Sequence, residues 1–224
     1  MNQEPVRSGR PFATLLTCLA GVVTAVLRVV PHPPGFTSMG SLGVFGGARL
    51  AGWRACAVPL LVFIASDLLL WTITGFNPMY SIAHISRAYV YASFLLYILL
   101  GWLAREKSTL WLMGAAALGG VQFFLVTNFF TWLTQPWLPA EAVFEPLRYS
   151  RDLAGLLHCY AAALPFYQGE MPTYMHPLAL LGDFRMSAFW TIIADVACTG
   201  VLAGAHDAVT SADKANEPVP TVEA

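Results

Sequence analysis

The sequence predicts an all-α fold: a polytopic membrane protein with a bundle of six transmembrane helices and one short interfacial or re-entrant helix. Three observations point there. Of 224 residues, 57% are hydrophobic and only 11% are charged, where a soluble domain carries about 25% charged residues. Mean hydropathy is +0.60. The apolar residues fall into separate blocks of membrane-crossing size, and the basic residues gather in alternate connections between them.

The first block runs Ala13–Val30, after a polar segment 1–12 that carries Arg7 and Arg10. A basic start followed by an apolar run also suits a signal peptide. This run is long, however, and ends Leu-Arg-Val-Val-Pro without a small-residue cleavage site, so it is expected to stay as a span. The second block, Met39–Gly52, is short and glycine-rich. The third is Ala55–Thr74, the fourth Ile82–Ala104, the fifth Thr109–Leu133 and the sixth Phe184–Ala205. Leu153–Phe166 is apolar but too short to cross comfortably, which makes it the interfacial or re-entrant helix. The expected organisation is one transmembrane domain over 13–205, with a disordered cytoplasmic tail over 206–224.

Basic residues test the count. With six spans and a cytoplasmic N-terminus, Arg49, Arg54, Arg105, Lys107 and Lys214 all fall inside. If 39–52 did not cross, Arg49, Arg54, Arg105 and Lys107 would lie outside. The expectation is a bacterial inner-membrane protein with both termini in the cytoplasm.

A net charge of −1 offers nothing to nucleic acid. Cys18, Cys56, Cys159 and Cys198 stand singly, without a CxxC pair, and the five histidines are scattered. No metalloprotease, nucleophile-elbow, phosphate-loop or dinucleotide motif is present. The expectation is a protein that is not an enzyme and uses neither cofactor nor metal.

Charges inside apolar blocks need a reason, because an acid or arginine at mid-membrane costs roughly 2.5–3.5 kcal/mol on insertion scales. Arg28 ends the first block, Asp67 lies in the third, Arg87 opens the fourth and Asp195 lies in the sixth. Asp67 and either arginine suit a buried ion pair that fixes helix register, or an anchor for a polar ligand. Asp195 reads first as a packing residue. Pro31-His32-Pro33-Pro34 enforces an extended path, Gly35 permits a turn and Phe36 follows; such a loop serves as a lid or as a rigid connector. Asn128 donates and accepts near the end of the fifth block, which fits either a ligand contact or an interhelical bond. His158 and Cys159 are adjacent, so on a helix they point about 100° apart and do not readily share an ion. Gly43-xxx-Gly47 and Thr17-xxx-Gly21-xxx-Ala25 are small-residue stripes that admit a close helix, from this chain or from a partner.

The runs Arg28-Val-Val-Pro-His-Pro-Pro-Gly-Phe-Thr37 and Gly43-Val-Phe-Gly-Gly-Ala48, with Ser66-Asp67, Thr127-Asn128-Phe129 and Ala154–Phe166, resemble a family of small bacterial membrane proteins of unknown function that carries a transport-protein label. That family in turn is similar to the substrate-binding subunits of energy-coupling-factor vitamin transporters. The resemblance implies six helices and outer loops that close over a small molecule. It also implies a first-helix stripe of Thr17, Gly21 and Ala25 meeting a transmembrane coupling subunit with its ATPases. Phe36, Asn128 and His158 would lie near the ligand. An asparagine often stands in that pattern where this chain has Gly35.

The functional expectation is a substrate-binding transport subunit that takes up a small, vitamin-like nutrient from the outer face. Its ligand-side residues would be Arg28, His32, Phe36, Asp67, Arg87, Asn128 and His158. The alternatives are a non-catalytic assembly subunit that packs through its small-residue faces and, third, an intramembrane enzyme.

Overall fold

The computed structural model describes residues 9–27, 38–73, 85–135, 149–163 and 187–215. Among these, seven helices and no strands occur: α1 (Gly9–Leu27), α2 (Met39–Arg49), α3 (Arg54–Ile73), α4 (Ile85–Leu103), α5 (Thr109–Thr134), α6 (Leu153–Ala163) and α7 (Ser187–Ala215). Three helical stretches are long and apolar enough to cross a membrane: Arg54–Ile73, Thr109–Thr134 and Trp190–Ala212. Shorter apolar stretches cover Phe12–Val26, Arg87–Leu103 and Leu153–Ala163.

Contacts between helix ends fix their directions. Near the start of α1, Phe12 stacks on His206 of α7, and near its end Thr24 shares a hydrogen bond with Ser38, just before α2. At the end of α2, Arg49 donates to the Arg105 carbonyl beyond α4. At the start of α5, Thr109 donates to Asp207 of α7. Tyr89, early in α4, meets Thr131, late in α5. Thus α1, α2, α3, α4, α5 and α7 alternate in direction. The bundle has a Ser38 end and an Arg49 end, and Arg54, Arg105 and Lys107 all lie at the second.

The centre of the bundle is α2. Every residue from Met39 to Ala48 is buried, and the helix packs against α1, α3, α4, α5 and α7. Its 11 residues rise about 16 Å, roughly half the hydrocarbon thickness of a bilayer. The second apolar block is therefore a short central helix followed by a turn, in which Gly52 adopts φ 59°. A residue with a Cβ resists that left-handed conformation.

Glycines set how closely α2 is approached. A Cβ on Gly47 would sit 2.1 Å from the Ile98 carbonyl oxygen, and one on Gly101 the same 2.1 Å from that of Val44. The α2 and α4 backbones therefore touch from both sides, as small residues allow where no apolar solvent effect drives helices together. A Cβ on Gly46 would lie 2.5 Å from the Pro59 ring. Pro59 has no N–H for the Ala55 carbonyl, so α3 lacks one rung there.

Leu42 and Val44 of α2 pack with Phe94, Tyr97, Ile98 and Leu112 of its neighbours, and all of these, with Phe45 of α2, are nearly inaccessible. The outward faces carry Leu15, Leu19, Val22, Leu61, Leu99, Leu118 and Val201, all exposed, the surface expected of helices that meet lipid chains. Helix α7, which holds the sixth apolar block, runs past Ala205 to Ala215, so His206–Ala215 is helical where a disordered tail was expected. Asp207 anchors that extension to Arg49 at 3.1 Å and to Thr109 at 2.9 Å.

Candidate functional site

Polar side chains inside the bundle fall into a few small groups toward the Ser38 end. On α3, Asp67 is wholly buried. It accepts a hydrogen bond from the Tyr91 hydroxyl at 3.1 Å, and Arg87 Nη1 lies 3.5 Å from the same Oδ2. Arg87 and Tyr91 are four apart on α4, so one helix face brings both to the carboxylate. The Asp67–Arg87 pairing offered by the sequence is present. Arg87 keeps 12% of its side-chain surface accessible, so the pair lies at the edge of the packed interior.

The second group surrounds Asp195 on α7, also wholly buried. Its Oδ1 accepts the Ser41 N–H at 3.1 Å and its Oδ2 accepts the Tyr97 hydroxyl at 2.7 Å. Ser38 is the N-cap of α2 and makes no side-chain cap bond of its own. Asp195 thus caps α2 from another helix, giving a carboxylate to N–H groups that an isolated helix leaves unpaired. Gly40 makes room, since a Cβ there would stand 2.2 Å from Asp195 Oδ2. Asp195 is a packing residue, as read from the sequence, although its partner was not visible there.

Further along, Gln122 Nε2 on α5 donates to the Ser93 carbonyl on α4 at 3.0 Å. Gln122 Oε1 and Thr199 Oγ1 are buried and have no hydrogen-bond partner among the described residues.

Asn128 donates through Nδ2 to the Phe124 carbonyl of its own helix at 2.7 Å. Its carbonyl accepts from Cys159 Sγ at 3.5 Å, and the Tyr160 hydroxyl reaches the Leu125 carbonyl at 2.9 Å. So α6 docks on the last third of α5. Arg151 closes that end: its guanidinium donates to the Trp132 and Leu133 carbonyls and lies over the Trp132 ring. Asp152 caps α6, accepting the Gly155 N–H at 2.8 Å and the Ser150 hydroxyl at 2.7 Å. These bonds, the Gly155 N–H foremost, hold its carboxyl below the usual 3.8. His158 is exposed and meets Tyr149 edge-on, 5.4 Å between ring centres. Burial, then the neighbouring Cys159 thiol, pushes the Tyr149 phenol up to about 12.

Arg28, His32 and Phe36 lie outside the described residues. Of the remaining candidates, Asp67 and Arg87 are together, Asn128 lies at the α5–α6 contact, and His158 is exposed on α6 against Tyr149. The stripe on α1 faces inward. Thr17 is buried and donates to the Ala13 carbonyl at 2.8 Å. A Cβ on Gly21 would meet Val62 of α3 at 2.7 Å, and Ala25 is half-buried. Small residues predict a close neighbour, and here α3 is that neighbour. Sequence reasoning missed the contributions of Tyr91 and Tyr97, whose signal was a tyrosine inside an apolar block needing a hydroxyl partner. Among the described residues no three His, Cys, Asp or Glu gather as metal ligands do.

The model of the family of unknown function DUF6580 matches residues 9–217. The chain belongs to DUF6580. No curated protein and no solved structure matches it. The match runs from the start of α1 past the end of α7, so for this DUF6580 chain the short central α2 and both buried aspartates lie within the family's extent.

Proposed function

We propose that this DUF6580 protein is a membrane-embedded substrate-binding subunit that takes up a small nutrient through an outward-facing site at the Ser38 end. The observation that carries the reading is the Asp67–Arg87–Tyr91 group. An ionised pair kept in an apolar bundle marks a functional site by default, and this one remains partly accessible through Arg87. Arg87 would hold an anionic group of the ligand, with Asp67 and Tyr91 orienting it. On this reading six segments cross the inner membrane, α2 with its flanks being the second, and the Arg49 end with its basic residues is cytoplasmic.

The assembly-subunit alternative draws less support. The small-residue stripes it would present are used within the chain, Gly21 against α3 and Gly47 against α4. For the same reason the proposal does not include docking of a coupling subunit through Thr17 and Gly21.

Mass spectrometry of small molecules released from gently purified protein tests the reading. The Asp67→Asn/Arg87→Gln double variant removes both charges, avoiding the cost, about 3–5 kcal/mol, of stranding one of them. Wild type is expected to release a bound nutrient, and the folded double variant none. Retention by the double variant, or no ligand from wild type, overturns the proposal.

A further inference from the structure

We propose that the Arg49 end carries a binding surface for the headgroups of anionic phospholipids. Two short connections meet the end of α7 there: the turn from α2 to α3 and the turn from α4 to α5. Arg49 is spent on structure, donating through Nη1 to the Arg105 carbonyl at 2.9 Å and through Nη2 to Asp207 at 3.1 Å. That clamp fixes the α4–α5 turn, while the side chains of Arg105, Lys107 and Arg54 are exposed at this same end. Asp207 is engaged by Arg49 and Thr109. Among the described residues, Glu106 is the exposed acid on the same turn. Among the described residues, Arg54, Arg105 and Lys107 thus outnumber Glu106, the second acid of this end, Asp207, being held by Arg49 and Thr109.

Apolar and amphipathic side chains surround this charge. Trp53 is 74% exposed and Trp111 66%, and Leu110, Leu103 and Trp102 are exposed beside them. The Arg105 guanidinium lies 6.0 Å from the Trp102 ring centre. Indoles sit at the depth of lipid headgroups and leucines below them, so the cations stand where phosphodiesters lie. A soluble anion would explain the cations but not the indoles and leucines. A phospholipid engages both, its phosphate by Arg54, Arg105 and Lys107 and its chains by Leu103, Leu110 and the tryptophan faces. Each basic group near an anionic leaflet strengthens attachment by about five-fold.

The test uses the full chain in neutral detergent. Phosphatidylglycerol, phosphatidylcholine and inorganic phosphate are each titrated, with thermal unfolding and retained-lipid mass as readouts. Phosphatidylglycerol is expected to raise Tm and remain bound, while the other two have little effect. Arg54→Gln, Arg105→Gln and Lys107→Gln should each weaken the apparent affinity about five-fold, and Glu106→Gln should strengthen it. All four side chains are exposed, and the opposite sign expected of Glu106→Gln separates binding from loss of fold. An equal response to phosphatidylcholine overturns the proposal, as does a response to phosphate alone. Unchanged affinity in the basic-residue variants also overturns it, and points to a protein partner for this face.

Discussion

Asp195 Oδ1 and the Ser41 N–H, 154 positions apart in sequence, are joined by a 3.1 Å hydrogen bond. The bond ties the middle of α7 to the first turn of α2. It gives a carboxylate to a helix start whose own Ser38 side chain does not cap it.

Replacing Asp195 by alanine removes the acceptor for both Ser41 and Tyr97. Charge-assisted hydrogen bonds contribute about 1.5–3 kcal/mol each, so Asp195→Ala, which removes two of them, should lower stability by about 3–6 kcal/mol. Asp195→Asn keeps an acceptor carbonyl and should lose less than half as much. Thermal unfolding in detergent checks the order; equal losses would show that the cap contributes nothing.

Gly47 and Gly101 leave no room for a methyl group, because each Cβ would fall 2.1 Å from a backbone carbonyl oxygen. Backbone cannot swing aside as a side-chain tip does, so Gly47→Ala and Gly101→Ala should each cost about 3 kcal/mol or more. Gly114 has nothing within 4 Å of its Cβ position, and Gly114→Ala should gain roughly 0.5–1 kcal/mol from backbone entropy. Yields of folded protein and Tm distinguish the two classes.

The Asp152 carboxyl is held below 3.8 by the Gly155 N–H and the Ser150 hydroxyl. A folded-state value below the unfolded one means the contribution is complete above the unfolded value. It disappears as pH falls through the folded value. The Gly155 amide resonance should therefore stay constant from neutral pH down to mild acid and titrate with a midpoint under 3.8. A midpoint at or above 3.8 would contradict the cap.

Blocks made of long apolar runs were legible. The fifth was read as Thr109–Leu133 and is Thr109–Thr134; the third was read as Ala55–Thr74 and is Arg54–Ile73. Their length and composition suffice, because nothing local competes. That Asp67 needs a basic partner was legible for a similar reason, since opposite charges in apolar blocks need each other, although Arg28 and Arg87 both stayed open until the fold placed Arg87 beside it. The short α2 was harder. Glycine lowers apparent hydropathy whether a helix is half-length or full-length, and burial on every side leaves no periodic mark. A stripe such as Thr17–Gly21–Ala25 announces a close neighbour without naming it, and Val62 became visible only in the fold. Asn128 was read as a ligand contact or an interhelical hydrogen bond near the end of the fifth block. Its Nδ2 bonds four residues back along α5, a bond that sequence spacing does not reveal. The end of α7 was hidden because polar residues read as tail until Arg49 and Thr109 are seen to hold Asp207.

The capping of α2 by Asp195 bears on the order in which the protein matures. During synthesis α2 emerges early, and the carboxylate that completes its first turn arrives with the last described helix. Until then the Ser41 N–H lacks this acceptor. The nascent protein therefore stays unfinished at its middle until its far end is made, and a chain cut short before α7 leaves the first turn of α2 without this acceptor.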